Sequence, residues 1–399
     1  MDEMGEVLQR MRDPLGAPFF PEALRALLVV TWVIHIFFVT LALGSSVITL
    51  VGFLRKGDYD RRLARSAARL TPSAVGLGIV TGIAPLLFIQ TIYDPSWYAA
   101  NTLTGFWSVM FVFIVMAGYG FAYLFYMRGS ADGRLLWSAG ASAALLTFAG
   151  FIMHVLASVS IRPTRWMEWY APDGVIDTRG VEFHSVNVPR LVFLLPLQAA
   201  LGIAVGGLLY AWYGAKREDP DLDYLRWVAA QARRLGVVVG LLYTVAGLAW
   251  GLTEGQEFDV VPLAVPALVG VGLVLTAFFV TMRDPLRHGR TALFVWLGGL
   301  LVVAVIREAI RTAALREVGY DVAQYPYDVN WGSAVLFLAT TIVGGSIIAY
   351  MAMVLYQSGL HRGVTQITPR VDRFGRVATA MLGGWFAFFL AIGLYTVVG

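Results

Sequence analysis

The sequence predicts an all-α polytopic transmembrane helix bundle of about 10 spans, with both termini on the outer (periplasmic) side. Three observations carry this. First, 58% of the 399 residues are hydrophobic and only 14% are charged, with a mean hydropathy of +0.69, far from the composition of a soluble domain. Second, apolar runs long enough to cross a bilayer recur from Leu27 to the C-terminus, without the period-two alternation of a membrane barrel. Third, the basic residues alternate in density between successive connections, which orients the chain.

The runs place spans near 24–54, 71–93, 104–127, 135–160, 190–213, 235–252, 262–281, 291–308, 332–356 and 377–398. Residues 1–22 read as an outer surface segment, polar to amphipathic, in which Asp13-Pro14 stops any short helix; no secretory signal is expected there. Residues 23–399 read as a single transmembrane domain. The connections after spans 1, 3, 5, 7 and 9 hold 20 of the 30 basic residues, including the row Arg55, Lys56, Arg61, Arg62, Arg65 and Arg69. The positive-inside rule makes those connections cytoplasmic. The long outer loops then fall near 161–189 and 309–331, rich in Trp and Tyr of the interfacial type. No internal repeat is visible, which argues against the inverted-repeat transporters. The excess of basic over acidic residues is explained by orientation, and no nucleic-acid partner is implied.

The chain has no cysteine, so disulfides, iron–sulfur ligation, c-type haem attachment and a cysteine nucleophile are excluded. Of its five histidines, His288 and His361 fall in cytoplasmic loops and read as solvated. His35 lies inside span 1, His154 near the outer end of span 4, and His184 in the outer loop before span 5. An ionisable side chain within a span has a partner or a function by default. Axial ligation of haem iron by neutral imidazole is one reading. A hydrogen bond to a neighbouring carbonyl, worth ~1 kcal/mol, is the other. Met110, Met116 and Met153 are weaker candidates for a sixth ligand, since methionine in an apolar helix is more often packing. Glu308, with Arg307 and Arg311, closes span 8 and is suited to carrying protons, to pairing near a haem propionate, or to a structural ion pair. Glu254, Glu257 and Asp259 read as a short acidic outer loop. No phosphate loop, HExxH or Ser–His–acid set occurs.

Residues 25–105 resemble the opening of subunit I of the cytochrome bd quinol oxidases. The likeness rests on His35 followed by Thr40-Leu41-Ala42-Leu43-Gly44, then the basic loop Arg55 to Arg69, then Gly76-Leu77-Gly78-Ile79-Val80-Thr81-Gly82 and Trp97-Tyr98. The resemblance implies that His35 is an axial haem ligand on the outer side and that the N-terminus faces outward. The sequence departs from that pattern elsewhere. No Asp or Glu occurs between Asp94 and Asp132, no histidine occurs in 190–213, and the connection near 253–261 is too short for the family's quinol loop. Through the local pattern Arg307-Glu308-Ala309, Glu308 resembles the family's late haem-associated glutamates.

The expected function is a haem-b membrane subunit of a respiratory complex in a bacterial inner membrane. It would exchange electrons between quinol and an outer-side partner such as a cytochrome c or an iron–sulfur protein. His35 and His154 would ligate iron, with His184 and Glu308 as further cofactor-site residues. An oxygen-reducing quinol oxidase subunit and a haem-free scaffold or transporter are the alternatives.

Overall fold

The computed structural model describes residues 2–55 and 57–398; Lys56 of the basic row lies outside them. The described residues form helices and loops with no strand. The long helices are α2 (Pro21–Arg55), α3 (Asp58–Ile92), α5 (Gly105–Arg128), α6 (Leu136–Ser160), α9 (Gln198–Gly214), α10 (Leu222–Glu257), α11 (Val261–Thr281), α12 (Gly289–Arg316), α13 (Trp331–Ser358) and α14 (Pro369–Val398). Shorter α1 (Asp2–Arg10), α4 (Asp94–Leu103), α7 (Trp166–Tyr170) and α8 (Val188–Val192) lie between them. Taking α8 and α9 as one span, ten helices are long and apolar enough to cross a membrane, so the protein is a polytopic helical membrane bundle.

Several helices outrun the apolar segments that announce them. Helix α3 begins at Asp58 rather than near residue 71, and α10 begins at Leu222 and continues to Glu257. At 35 residues, α3 is about 52 Å long, against a hydrocarbon core of about 30 Å. Hydropathy ends where the arginines begin, but arginine is a good helix former and the backbone ladder carries on into the headgroups. Asp58 and Asp60 in the first turn of α3 complement the helix dipole.

The chain divides into two compact units, one running to Trp212 and from Asp223 to Tyr327, the other comprising Tyr213–Leu222 and the segment from Asp328 onward. In the first, α2 packs along α3, α5 along α6 and α11 along α12, with α2 also against α6 and α12. Helix α10 lies against α11 through glycines: a side chain at Gly240 would strike Thr276, and one at Gly251 would strike Val265. Such small residues let two backbones approach where lipid supplies no hydrophobic drive. In the second unit α13 pairs with α14, and His361 Nδ1 meets Glu218 Oε1 at 2.7 Å.

One end of the first unit is capped. There α2 begins, α6, α10 and α12 finish, and the segment before α2 folds down over the α3–α4 junction. Leu8 and Ala17 are fully buried, the Asp13 N–H donates to Asp94 Oδ2 at 2.8 Å, and Arg12 lies between the rings of Tyr320 and Tyr325.

Candidate functional site

The capped end holds a concentration of buried charge. On α12, Glu308 is 6% exposed and Arg311 3%. Three residues apart, they share one helix face, and Arg311 donates to Glu308 Oε2 at 2.5 Å. The other carboxylate oxygen accepts from the hydroxyl of Tyr93, which follows α3 directly. Burial, then the charge of Glu308, raises the Tyr93 phenol well above the usual range, so it remains the donor. Arg307 reaches back to α2, its guanidinium 4.7 Å from the ring centroid of Trp32, a cation–π arrangement.

A second group comes from α6, α8 and α10. Arg190 on α8 is 4% exposed and Glu254 on α10 is completely buried, and they pair at 2.8 Å. Arg190 also donates to the Ser158 hydroxyl and, at 3.3 Å, to the His154 carbonyl. Trp250, one turn before Glu254, donates its indole N–H to that carboxylate at 2.7 Å. Arg162 clamps Glu257 through two hydrogen bonds of 2.6 and 2.5 Å and stands 3.6 Å from Glu254. The expected acidic loop is thus the last turn of α10. Glu254 is drawn inward, where Arg190 and Arg162 from other helices neutralise it, while Glu257 stays exposed beside Arg162 and Asp259 lies past the helix end. The two groups share a small void of about 10 Å³ lined by Arg190, Glu254, Arg307 and Arg311 among others, room for about one water.

His35 stands one turn after Trp32 on α2. Its Nδ1 meets the Gly78 carbonyl of α3 at 2.9 Å, and its ring lies against Gly82, where an added Cβ would sit 2.9 Å from Cε1. Gly82 clears α3 for the imidazole, while Gly78, one turn earlier, supplies the carbonyl and packs against Val39. Nδ1 is therefore the protonated nitrogen, and Nε2 carries the free lone pair. His154 is 8% exposed, and its buried Nε2 has no hydrogen-bond partner. The imidazoles stand at the same end of the bundle, and no hydrogen bond or ring contact joins them among the described residues.

His184 lies in the loop over the capped end, its ring stacked on Trp169 with centroids 5.4 Å apart. Burial lowers its basicity, although a hydrogen bond to the Leu103 backbone and two nearby carboxylates oppose the shift. His288 serves its own loop through the Asp284 carbonyl at 2.6 Å, and His361 ties its loop to Glu218. Met116 and Met153 are exposed on the bundle surface. At the start of the fifth span Pro196 lacks the N–H that would bond to Val192, and Phe193–Leu197 widens into a π turn. This turn aims the fully buried Phe193 at Tyr243, with ring centroids 3.7 Å apart.

Tyr93, Trp250 and the inward role of Arg190 and Glu254 are the parts of this cluster that sequence reasoning missed. A signal existed in Arg190, an arginine two residues inside an apolar span, and in the Trp250–Glu254 spacing of one helical turn.

No family profile and no curated protein matches the chain. Among solved structures, it is similar to a chain of the bd oxidase from Geobacillus thermodenitrificans, with a TM-score of 0.56 and 13% identity over 86% of this chain and 98% of that one. The likeness is one of fold, and the chain has a bd-oxidase-like helical architecture.

Proposed function

We propose that the chain is a haem-b-bearing electron-transfer subunit of a respiratory complex in a bacterial inner membrane. It exchanges electrons between quinol and a redox partner, a cytochrome c or an iron–sulfur protein, docked on the capped end, which faces outward together with both termini. The observation that carries this is the pair His35 and His154. The buried Nε2 of His154 has no hydrogen-bond partner and that of His35 makes no hydrogen bond among the described residues, while Nδ1 of His35 is held by a carbonyl of a neighbouring helix, the arrangement that orients a metal-binding imidazole. The bd-oxidase-like fold supports the same reading.

A haem b supplies reversible one-electron chemistry. The protein's part is to hold and tune it. The Gly78 carbonyl fixes the His35 tautomer and makes the ring a stronger donor, while Gly82 keeps the ring face clear. Arg307 and Arg311 would offer positive charge to the acidic groups of a bound haem, and Tyr93 holds Glu308 beside them by donating its hydroxyl to the carboxylate. His184, neutral near pH 7 because burial lowers its basicity, is suited to accept a proton from quinol at the loop surface. Electron transfer is favoured over oxygen reduction because α5, from Gly105 to Arg128, carries no carboxylate.

The test is a reduced-minus-oxidised visible spectrum of the purified protein with pyridine haemochrome quantitation, on wild type, His35→Ala and His154→Ala. The reading expects b-type bands and loss of haem in each variant. A colourless wild-type protein overturns it in favour of a scaffold or transporter, and quinol-driven oxygen uptake overturns it in favour of an oxidase.

A further inference from the structure

At the end of the bundle opposite the cap, the first turns of α3 carry arginines that the fold does not use. Arg61, Arg65 and Arg69 recur every fourth residue, so they stack along one face of the helix, and all three are exposed. None of them has a side-chain ion pair or hydrogen bond among the described residues. Their neighbours differ. Arg62, on another face, lies over the Tyr224 ring of α10 at 3.9 Å. Arg226 pairs with Asp223 at 3.4 Å, Arg287 with Asp284 at 3.1 Å, and Arg134 with Asp132 at 3.0 Å.

The same face of α3 continues into the membrane. Ser73, Leu77, Val80 and Leu87 follow on that face at helical spacings of four, three and seven residues, and all four are exposed. The arginine row is therefore the polar end of a lipid-facing stripe. Arg69 adjoins Leu70, where the apolar stretch begins. At 1.5 Å per residue, Arg65 lies about 6 Å and Arg61 about 12 Å further out. The headgroup layer is about 5–8 Å deep on each side of the hydrocarbon. Arg69 and Arg65 fall within it, and Arg61 stands just beyond its outer edge.

We propose that Arg61, Arg65 and Arg69 form a binding site for the phosphate of an anionic phospholipid. The membrane itself brings phosphates to this depth, and guanidinium groups hydrogen-bond them through paired N–H donors. No acidic residue falls between the three arginines, Asp58 standing one turn before Arg61 at the start of the helix. A soluble acidic partner fits less well, because its contact would have to run along a face that enters the bilayer.

The experiment is native mass spectrometry of the full chain in neutral detergent, titrated with phosphatidylglycerol and, separately, with phosphatidylcholine. The triple variant Arg61→Gln/Arg65→Gln/Arg69→Gln is compared with Arg134→Gln/Arg226→Gln/Arg287→Gln, which removes the same charge from paired positions. The first triple is expected to bind phosphatidylglycerol about thirty-fold more weakly, the loss of two headgroup-level arginines, with phosphatidylcholine unaffected. The control is expected to bind as wild type does. Should the first triple fail to purify, Arg65→Gln and Arg69→Gln singly are each expected to weaken binding about five-fold. Unchanged phosphatidylglycerol binding in the row variants, or an equal loss in the control, overturns the assignment.

Discussion

Replacing Arg190 with Met tests whether the buried charges of the capped end are mutually dependent. The substitution keeps an apolar stem of similar length and removes the guanidinium that pairs with Glu254 at 2.8 Å. Glu254 is completely buried, so it cannot recover its lost partner from water. Breaking a buried pair from one side costs roughly 3–5 kcal/mol. Here the lower end, about 3 kcal/mol, is expected, because Arg162 remains 3.6 Å from Glu254 and Trp250 still donates to it at 2.7 Å. That is a large share of a typical stability of about 5–15 kcal/mol. The second variant, Arg190→Met/Glu254→Gln, removes both charges and keeps an acceptor for the indole. It is expected to return to within about 1 kcal/mol of wild type. The assay is equilibrium unfolding in mild detergent followed by tryptophan fluorescence. A cost below ~1 kcal/mol for Arg190→Met, or a double variant as unstable as the sum of its singles, would refute the argument that these charges are held by one another.

Three further perturbations follow from the same geometry. Gly82→Ala places a methyl 2.9 Å from the His35 ring and is expected to lower haem content or shift the reduced band; a spectrum identical to wild type counts against His35 as a ligand. Asp94 is 7% exposed, and burial raises its pKa against the opposing pull of the Asp13 N–H and Tyr325. The stability it contributes is therefore fully present below its unfolded value of 3.8 and is lost as pH rises through the folded one. Asp94→Asn is accordingly expected to gain stability relative to wild type as pH increases from 4 to 7, and parallel melting curves across that range contradict it. Arg307→Gln removes the cation that lies 4.7 Å from the Trp32 ring, one turn before His35 on α2. A unit charge acting over roughly 10 Å at an effective dielectric of about 20 is worth ~1.7 kcal/mol, or ~70 mV for one electron. The haem midpoint is expected to fall by tens of millivolts in redox titration, and an unmoved midpoint removes Arg307 from the site.

The bundle was legible in the sequence because hydropathy is a local property: each span is announced by its own twenty-odd residues. Helix ends were less legible for the same reason. Nothing in the run Asp58 to Arg69 is apolar enough to register as a span, yet it continues α3 without a break. The histidines stood out because a titratable group inside an apolar run is conspicuous on its own. Glu254 did not, because its burial depends on Arg190, which is 64 residues away in sequence and comes from a different helix. Read alone, Thr253-Glu254-Gly255-Gln256-Glu257 is a polar tail. Glu308 and Arg311 were visible as neighbours, but the third member, Tyr93, arrives from the end of α3, and no local pattern couples a tyrosine at one helix terminus to a glutamate 215 residues later.

The two buried polar layers of the first unit differ in how they are satisfied, and the difference bears on where function sits. Toward the arginine-rich end, Ser45, Ser46, Thr49 and Thr71 are buried, but each hydroxyl can return to a carbonyl three or four residues back in its own helix. Such hydroxyls are content as soon as the helix forms and ask little of the neighbours. Among the described residues, no buried charge at the capped end is satisfied within one helix alone, apart from the Arg311–Glu308 pair, and that pair still takes its second contact from Tyr93. Arg190 needs α6 and α10, Glu254 needs α8, and Arg307 needs α2. The layer exists only once five helices have docked. A single misplaced side chain there leaves a charge unpaired in a medium that cannot solvate it. A fold would not hold so demanding an arrangement for packing alone, since apolar residues of similar volume do that at least as well. The arrangement is intelligible if the charges serve the two imidazoles that border them, fixing the field in which an electron arrives and leaves.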